Sequence, residues 1–163
     1  MYKALLGIAA AGLLTSSAMA AGVEVKRNGN PTALFSESVW AGDTLYVSGI
    51  LSDPDVPPAD GKPPAWTANT NAQSVGILKK IDKILKDQGL TLGDCVQLEA
   101  FLAGDPKMGD AMDFNGWNDA YKQFFGTAEQ PNKPVRATVQ VAKLAAPGAL
   151  IEVMVTAVRP AKK

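Results

Sequence analysis

The sequence predicts an α+β fold of two layers, a single sheet covered on one face by two helices, in the chain order β-β-α-β-α-β-β. Three observations lead there. Residues 67–88 and 113–125 carry apolar side chains at three-and-four spacing. Residues 34–40, 44–51, 92–103, 134–141 and 150–158 are short runs rich in β-branched and aromatic residues, bounded by Gly, Pro, Asn or Asp. No internal repeat, low-complexity tract or second domain divides the chain, so these elements share one core.

Residues 1–20 stand apart from that core. Lys3 precedes an apolar run from Ala4 to Leu14, and the small-residue stretch Ala18-Met19-Ala20 follows. This is the pattern of a secretory signal peptide cleaved after Ala20, leaving residues 21–163 as the mature domain in the periplasm or outside the cell. The apolar run is too short to span a bilayer comfortably, and no later segment replaces it, so no membrane association is expected after cleavage.

Residues 23–30 form a short strand or arm that ends in the turn cluster Asn28-Gly29-Asn30-Pro31. The strands 34–40 and 44–51 join at Ala41-Gly42-Asp43, a tight hairpin connection. Residues 52–66 hold five of the eleven prolines and read as loop, either a plain connection or, being long and beside a strand end, a lid. In the first helix Ala72, Val75, Leu78, Ile81 and Leu85 make the buried stripe, and Gly89 stops it. Strand 92–103 carries Cys95 in an apolar run. Asp113 caps the second helix, whose stripe is Phe114, Trp117, Ala120, Tyr121, Phe124 and Phe125. Two last strands flank Ala146-Pro147-Gly148-Ala149, a reverse-turn quartet, and read as a hairpin.

Composition removes much chemistry. The chain has no histidine, which excludes a Ser-His-Asp triad, a Cys-His pair, a His-ligated zinc and an imidazole base. Cys95 is the single cysteine, so no intramolecular disulfide forms, and its apolar setting makes it a packed thiol rather than a nucleophile. Without Lys3, 15 basic residues face 16 acidic ones, and no basic run offers a nucleic-acid footprint. Chemistry at this chain would have to use Arg, Lys, carboxylates, hydroxyls, amides or bound water.

Two charges break the apolar pattern of the last strands, Arg136 and Glu152; on spacing alone a charge at a strand start also fits a solvated strand end. Paired as a hairpin about Pro147-Gly148, these strands set position 152 opposite about 143, with Arg136 a further ~20 Å along. Within one chain the two charges do not meet. Strands 95–103 and 150–158 are apolar at nearly every position, so both sheet faces want burial while the helices cover only one, and self-association is expected. Across such an interface a guanidinium from one chain and a carboxylate from the next could flank a small cleft. Arginine suits a carboxylate ligand there because its planar fork binds bidentately and keeps its charge.

Four segments in order resemble the YjgF/RidA family from about residue 32 onward. They are Leu45-Tyr46-Val47-Ser48-Gly49; Leu90-Thr91-Leu92-Gly93-Asp94; Asn118-Asp119-Ala120-Tyr121-Lys122-Gln123-Phe124-Phe125; and Pro134-Val135-Arg136-Ala137-Thr138-Val139-Gln140-Val141, followed by Ile151-Glu152-Val153. The resemblance implies a chorismate-mutase-like protomer assembled as a homotrimer with clefts between subunits. It also implies hydrolysis of enamines and 2-imino acids to 2-keto acids and ammonia, with no cofactor or metal. On that resemblance Arg136 clamps the substrate carboxylate and Glu152 holds and activates the attacking water. Ser48 and Gly49 line the cleft, and Asn118 supports it from the second helix.

Three positions depart from the family pattern. Phe35 stands where active members commonly carry tyrosine, Ile50 where glutamine is common, and Thr138 where a cysteine lends mainly its backbone carbonyl. An alternative expectation is a noncatalytic trimer that binds a small carboxylate in the same cleft. Ribonuclease activity, ascribed to some members, fits poorly with a near-neutral chain lacking histidine.

Overall fold

A computed structural model describes residues 22–161; the leader assigned to residues 1–20 lies outside the described residues. Six strands form one sheet: β1 (Val25–Asn28), β2 (Ser38–Ala41), β3 (Thr44–Ile50), β4 (Cys95–Ala103), β5 (Val135–Val141) and β6 (Ile151–Val158). Their spatial order is β1-β2-β3-β6-β4-β5, antiparallel throughout except for the parallel β4–β5 pair. Two helices, α1 (Thr70–Asp87) and α2 (Phe114–Tyr121), cover one face.

Local chemistry sets the helix ends. Asn69 caps α1 by accepting from the Ala72 amide at 2.9 Å. At its other end Gly89 takes φ +75°, while Gly89 N–H and Leu90 N–H reach back to the carbonyls of Lys86 and Leu85 at 3.0 and 2.8 Å. That is a Schellman closure, which favours glycine at the left-handed position. Asp113 caps α2 by accepting from Gly116 N–H at 2.8 Å. The helix ends at Tyr121 rather than Phe125, because residues 122–125 tighten into i→i+3 bonds such as Phe124 N–H to Tyr121 C=O.

The stripe that α1 buries differs from the expected one. Ala72 is exposed and Val75 half-buried, whereas Thr70, Gln73, Ser74, Ile77, Leu78, Ile81 and Leu85 are buried. Gln73 goes inside because its amide is fully used: it donates to the carbonyls of Ala68 and Gly148 and accepts from Leu150 N–H at 2.9 Å. The loop before β6 is thereby pinned to α1.

The expected hairpin of the last two strands is not formed. The turn at 146–149 exists, with Ala149 N–H donating to Ala146 C=O at 3.1 Å, but β6 inserts between β3 and β4 while β5 becomes the sheet edge. Burial explains the separation. Ile151, Val153, Val155 and Ala157 of β6 are 0–3 % exposed and belong at the sheet centre, whereas β5 alternates Arg136, Thr138 and Gln140 on one side and tolerates an edge.

Residues 52–66 form an arm closed by bridges between Val56 and Ala65 and between Ala59 and Lys62. Its base is tied by Trp66 Nε1 donating to the Ser52 carbonyl and by Asp55 accepting from Thr67.

Candidate functional site

The register places the two charges singled out by sequence on opposite faces. Arg136 is in register with Leu98, and Thr138 with Ala100, so both point to the face that the helices cover. Glu152 is in register with Phe101 and points to the other face. Three residues along β4 and two strand spacings separate them, roughly 14 Å in the sheet plane. The route differs from the hairpin, but within one chain they still do not meet.

Arg136 belongs to one group of side chains. Its Nη2 donates to Asn118 Oδ1 at 2.8 Å, and its guanidinium carbon lies 4.7 Å from the Tyr121 ring centroid, 5.7 Å from Trp117 and 5.9 Å from Phe114. Trp117 in turn donates from Nε1 to Thr138 Oγ1 at 3.2 Å. The helical spacing of residues 114, 117, 118 and 121 aims all of them at β5. Aromatic faces hold a guanidinium by cation–π attraction, and here they fix its plane while leaving most of its N–H donors free. Among the described residues no carboxylate pairs with it. The guanidinium borders an open cavity of about 440 Å³ lined also by Asn118, Tyr121, Lys122, Phe125, Lys133 and Pro134. Burial pushes the Tyr121 phenol above its ordinary value against the opposing pull of Arg136, so it stays a neutral hydroxyl at neutral pH.

Glu152 belongs to a second group. Between Val47 and Ile50 the β3–β6 ladder gains one residue on β3, a bulge that holds Ser48 and Gly49. A Cβ on Gly49 would overlap the Glu152 carboxylate, so a larger residue there would push the acid out of its present position. Ser48 donates from Oγ to the Ser36 carbonyl at 2.7 Å, and its N–H to Glu37 C=O at 3.0 Å. These bonds tie the bulge to the loop that carries Phe35, which is 70 % exposed beside a fully exposed Leu34.

The sequence-predicted residues thus fall into two half-sites: Arg136, Asn118 and Thr138 at the β5 edge, and Ser48, Gly49, Glu152 and neighbouring Phe35 at the β3 bulge. Tyr121, Lys122 and Lys133 were missed as site residues. Tyr121 reads as core in an aromatic stripe, and the lysines as solvated surface; the signal available was that Tyr121 sits three residues after Asn118. Cys95 is buried, with its thiol pushed up to about 12 by desolvation, as expected of a packed cysteine. Among the described residues no group of three His, Cys, Asp or Glu side chains gathers as a metal would require.

Fold and cavity define the class: a small α+β domain with an open, histidine-free cavity beside Arg136 at the sheet edge. The family model described as Endoribonuclease L-PSP matches residues 26–159. The chain belongs to this family, the one also called YjgF/RidA. A RutC family protein of Saccharolobus solfataricus is 32% identical over 128 residues, covering 78% of this chain and 88% of that one. The human 2-iminobutanoate/2-iminopropanoate deaminase is 31% identical over 125 residues, 77% of this chain and 80% of its own. Among solved structures, a YjgF family member from Neisseria meningitidis superposes with TM-score 0.65 at 24% identity, over 87% of this chain and all of that one, and shows the shared fold. E. coli TdcF with bound serine gives TM-score 0.60 at 26% identity, over 86% and 99%.

Proposed function

We propose that this protein hydrolyses reactive enamines and 2-imino acids to 2-keto acids and ammonia, in clefts that neighbouring subunits of a homotrimer complete. The observation that carries this reading is Arg136. It is a guanidinium braced by Asn118 and Tyr121, without an acidic partner among the described residues, facing an open cavity. A guanidinium so held is a receptor for a carboxylate, which it binds through two parallel N–H donors. The human relative's name specifies 2-imino acids, and the TdcF structure holds serine, also a small α-carboxylate.

The chemistry demands little. Water adds to C2 of the imine as the nitrogen takes a proton; the carbinolamine then loses ammonia and leaves a keto acid. Arg136 fixes the carboxylate next to C2, and Glu152 from a second subunit positions the water and accepts its proton. Positioning of this kind supplies most of the acceleration when the electrophile is already reactive. Gly49 leaves room for the Glu152 carboxylate in a bulge that Ser48 ties to the Ser36–Glu37 loop, and Thr138, by accepting from Trp117, steadies the Arg136 side. Phe35 offers an apolar cover without the hydroxyl common at its place.

Residues 1–20 fit an export leader, which makes the mature enzyme periplasmic or secreted and its substrates imino acids formed there. Amino-terminal sequencing of the protein recovered from the exported fraction should begin at Ala21; a cytoplasmic, unprocessed chain would contradict this.

For activity, an amino-acid oxidase generates 2-imino acids, semicarbazide traps them, and the protein is added. Wild type should suppress trapping, and Arg136→Ala should lower kcat/KM by about 100-fold, the scale of a lost bidentate charge-assisted contact. Saturable binding of keto acids with no suppression for any amino acid would favour the noncatalytic binder instead.

A further inference from the structure

We propose that the substrate class the Arg136 cavity fits best is a 2-imino diacid, whose second carboxylate is held by Lys122 and Lys133. The inference rests on the imine-hydrolase reading and names its substrate class. Of the eight residues that line the cavity three are cationic, Lys122, Lys133 and Arg136, and none is acidic. A 2-imino monoacid neutralises one of those charges. Lys133 then keeps an ammonium without a counterion among the described residues and Lys122 one held only by an exposed pair with Asp119, and like charges gathered at one site are unfavourable unless an anion joins them.

The lysines are placed rather than scattered. Gly126 takes φ +73°, and a Cβ there would overlap Cε of Lys133, so the absence of a side chain lets the Lys133 stem lie across this turn with its ammonium at the cavity. Pro134 follows and restricts the Lys133 backbone to extended conformations. Among the described residues Lys133 has no ion pair. Lys122 pairs with Asp119 at 3.2 Å, but both side chains are mostly exposed, at 72% and 65%, and an exposed pair of this kind is weak enough to exchange for a substrate carboxylate.

Between the cations the wall is aromatic. The rings of Tyr121 and Phe125 stack at 4.8 Å and 17°; Phe125 is buried in the core and Arg136 lies against Tyr121, so the half-buried Tyr121 edge is what the short carbon chain joining two carboxylates would meet. An imino diacid laid along this wall meets a charge at each end. Its hydrolysis balances as before: water supplies the oxygen at C2, the nitrogen leaves as ammonia, and a 2-keto diacid remains. The reaction that supplies it must be a two-electron oxidation of a 2-amino diacid.

The test generates imino diacids by oxidising aspartate and glutamate, and chain-length-matched monoacids by oxidising 2-aminobutanoate and norvaline, with semicarbazide trapping as readout. The wild-type preference for diacid over matched monoacid, as a ratio of kcat/KM, should be about tenfold or more, the scale of one charge-assisted hydrogen bond. The double variant Lys122→Met, Lys133→Met should bring that ratio close to one, and raising ionic strength should lower it in the wild type. Calorimetric binding of the product keto diacids against keto monoacids gives an independent readout. Equal rates for diacid and monoacid in an active wild type would overturn the inference and leave imine hydrolysis standing. Tighter diacid binding, lost in the double variant and unaccompanied by turnover, would uphold the charge reading while sinking hydrolysis. Equal binding without turnover would sink both.

Discussion

Along β6 successive side chains enter two different environments. Ile151, Val153, Val155 and Ala157 turn to the helices and are 0–3 % exposed, while Met154 and Val158 on the other face are 37% and 36% exposed. Tyr46, Val135 and Val139 on β3 and β5 share that second face and are more exposed still. One face is a finished core; the other is an apolar surface with Glu152 set into it, and Arg136 stands at the edge of the first. The helix side determines whether the chain folds; on the proposed reading activity draws on both faces, on Arg136 at the edge of the first and on Glu152 in the second.

The strongest way to break this contrast is a core truncation. Ile151→Ala should cost about 2–5 kcal/mol in urea unfolding, because the site is closed by α1 and cannot collapse. Met154→Asp, three residues away on the open face, should change protomer stability by no more than about 0.5 kcal/mol. On the proposed trimer reading it should nonetheless give monomers by sedimentation where the wild type gives trimers, since a charge then occupies the exposed apolar surface. Comparable destabilisation by both would contradict the division.

Gly49→Ala sharpens the comparison at the bulge. Its methyl displaces the Glu152 carboxylate, so imine hydrolysis should fall about tenfold or more, while thermal unfolding shifts only slightly because the bulge is partly open to solvent. An unchanged rate would mean that Glu152 does not need its place against Gly49.

The smallest effect concerns Cys95. Burial raises its thiol to about 12, so the folded state holds the proton more tightly than the unfolded one. That contribution is complete below the unfolded thiol range near ~8.5 and is lost as pH rises toward the folded value. Cys95→Ala should accordingly lose less stability relative to wild type at pH 10 than at pH 7, by about 1–2 kcal/mol.

Most of the architecture was legible in the sequence because its signals are local. The caps at Asp113 and Gly89, the hairpin at Gly42 and the helix–strand order depend on neighbours in the chain. Strand pairing does not, and the assumed pairing of β5 with β6 failed there: a good turn at 146–149 says nothing of which strand intervenes. Gln73 went unnoticed for a related reason, since its burial depends on a loop 75 residues away. Arg136 and Glu152 stood out as charges in apolar strands, and the family likeness gave each a role. Lys122 and Lys133 carry no such contrast, because lysine near a helix end looks like any solvated surface.

On the proposed function, each cleft joins the Arg136 half of one subunit to the Glu152 half of another. Arg136→Ala and Glu152→Gln are each expected to be nearly inactive alone. Co-refolded in equal amounts, they should recover about a quarter of wild-type activity, since in a closed ring one cleft in about four then draws both intact halves from different chains. Mixed assemblies that form yet stay as inactive as either variant would contradict the account and put both halves of the site in a single chain.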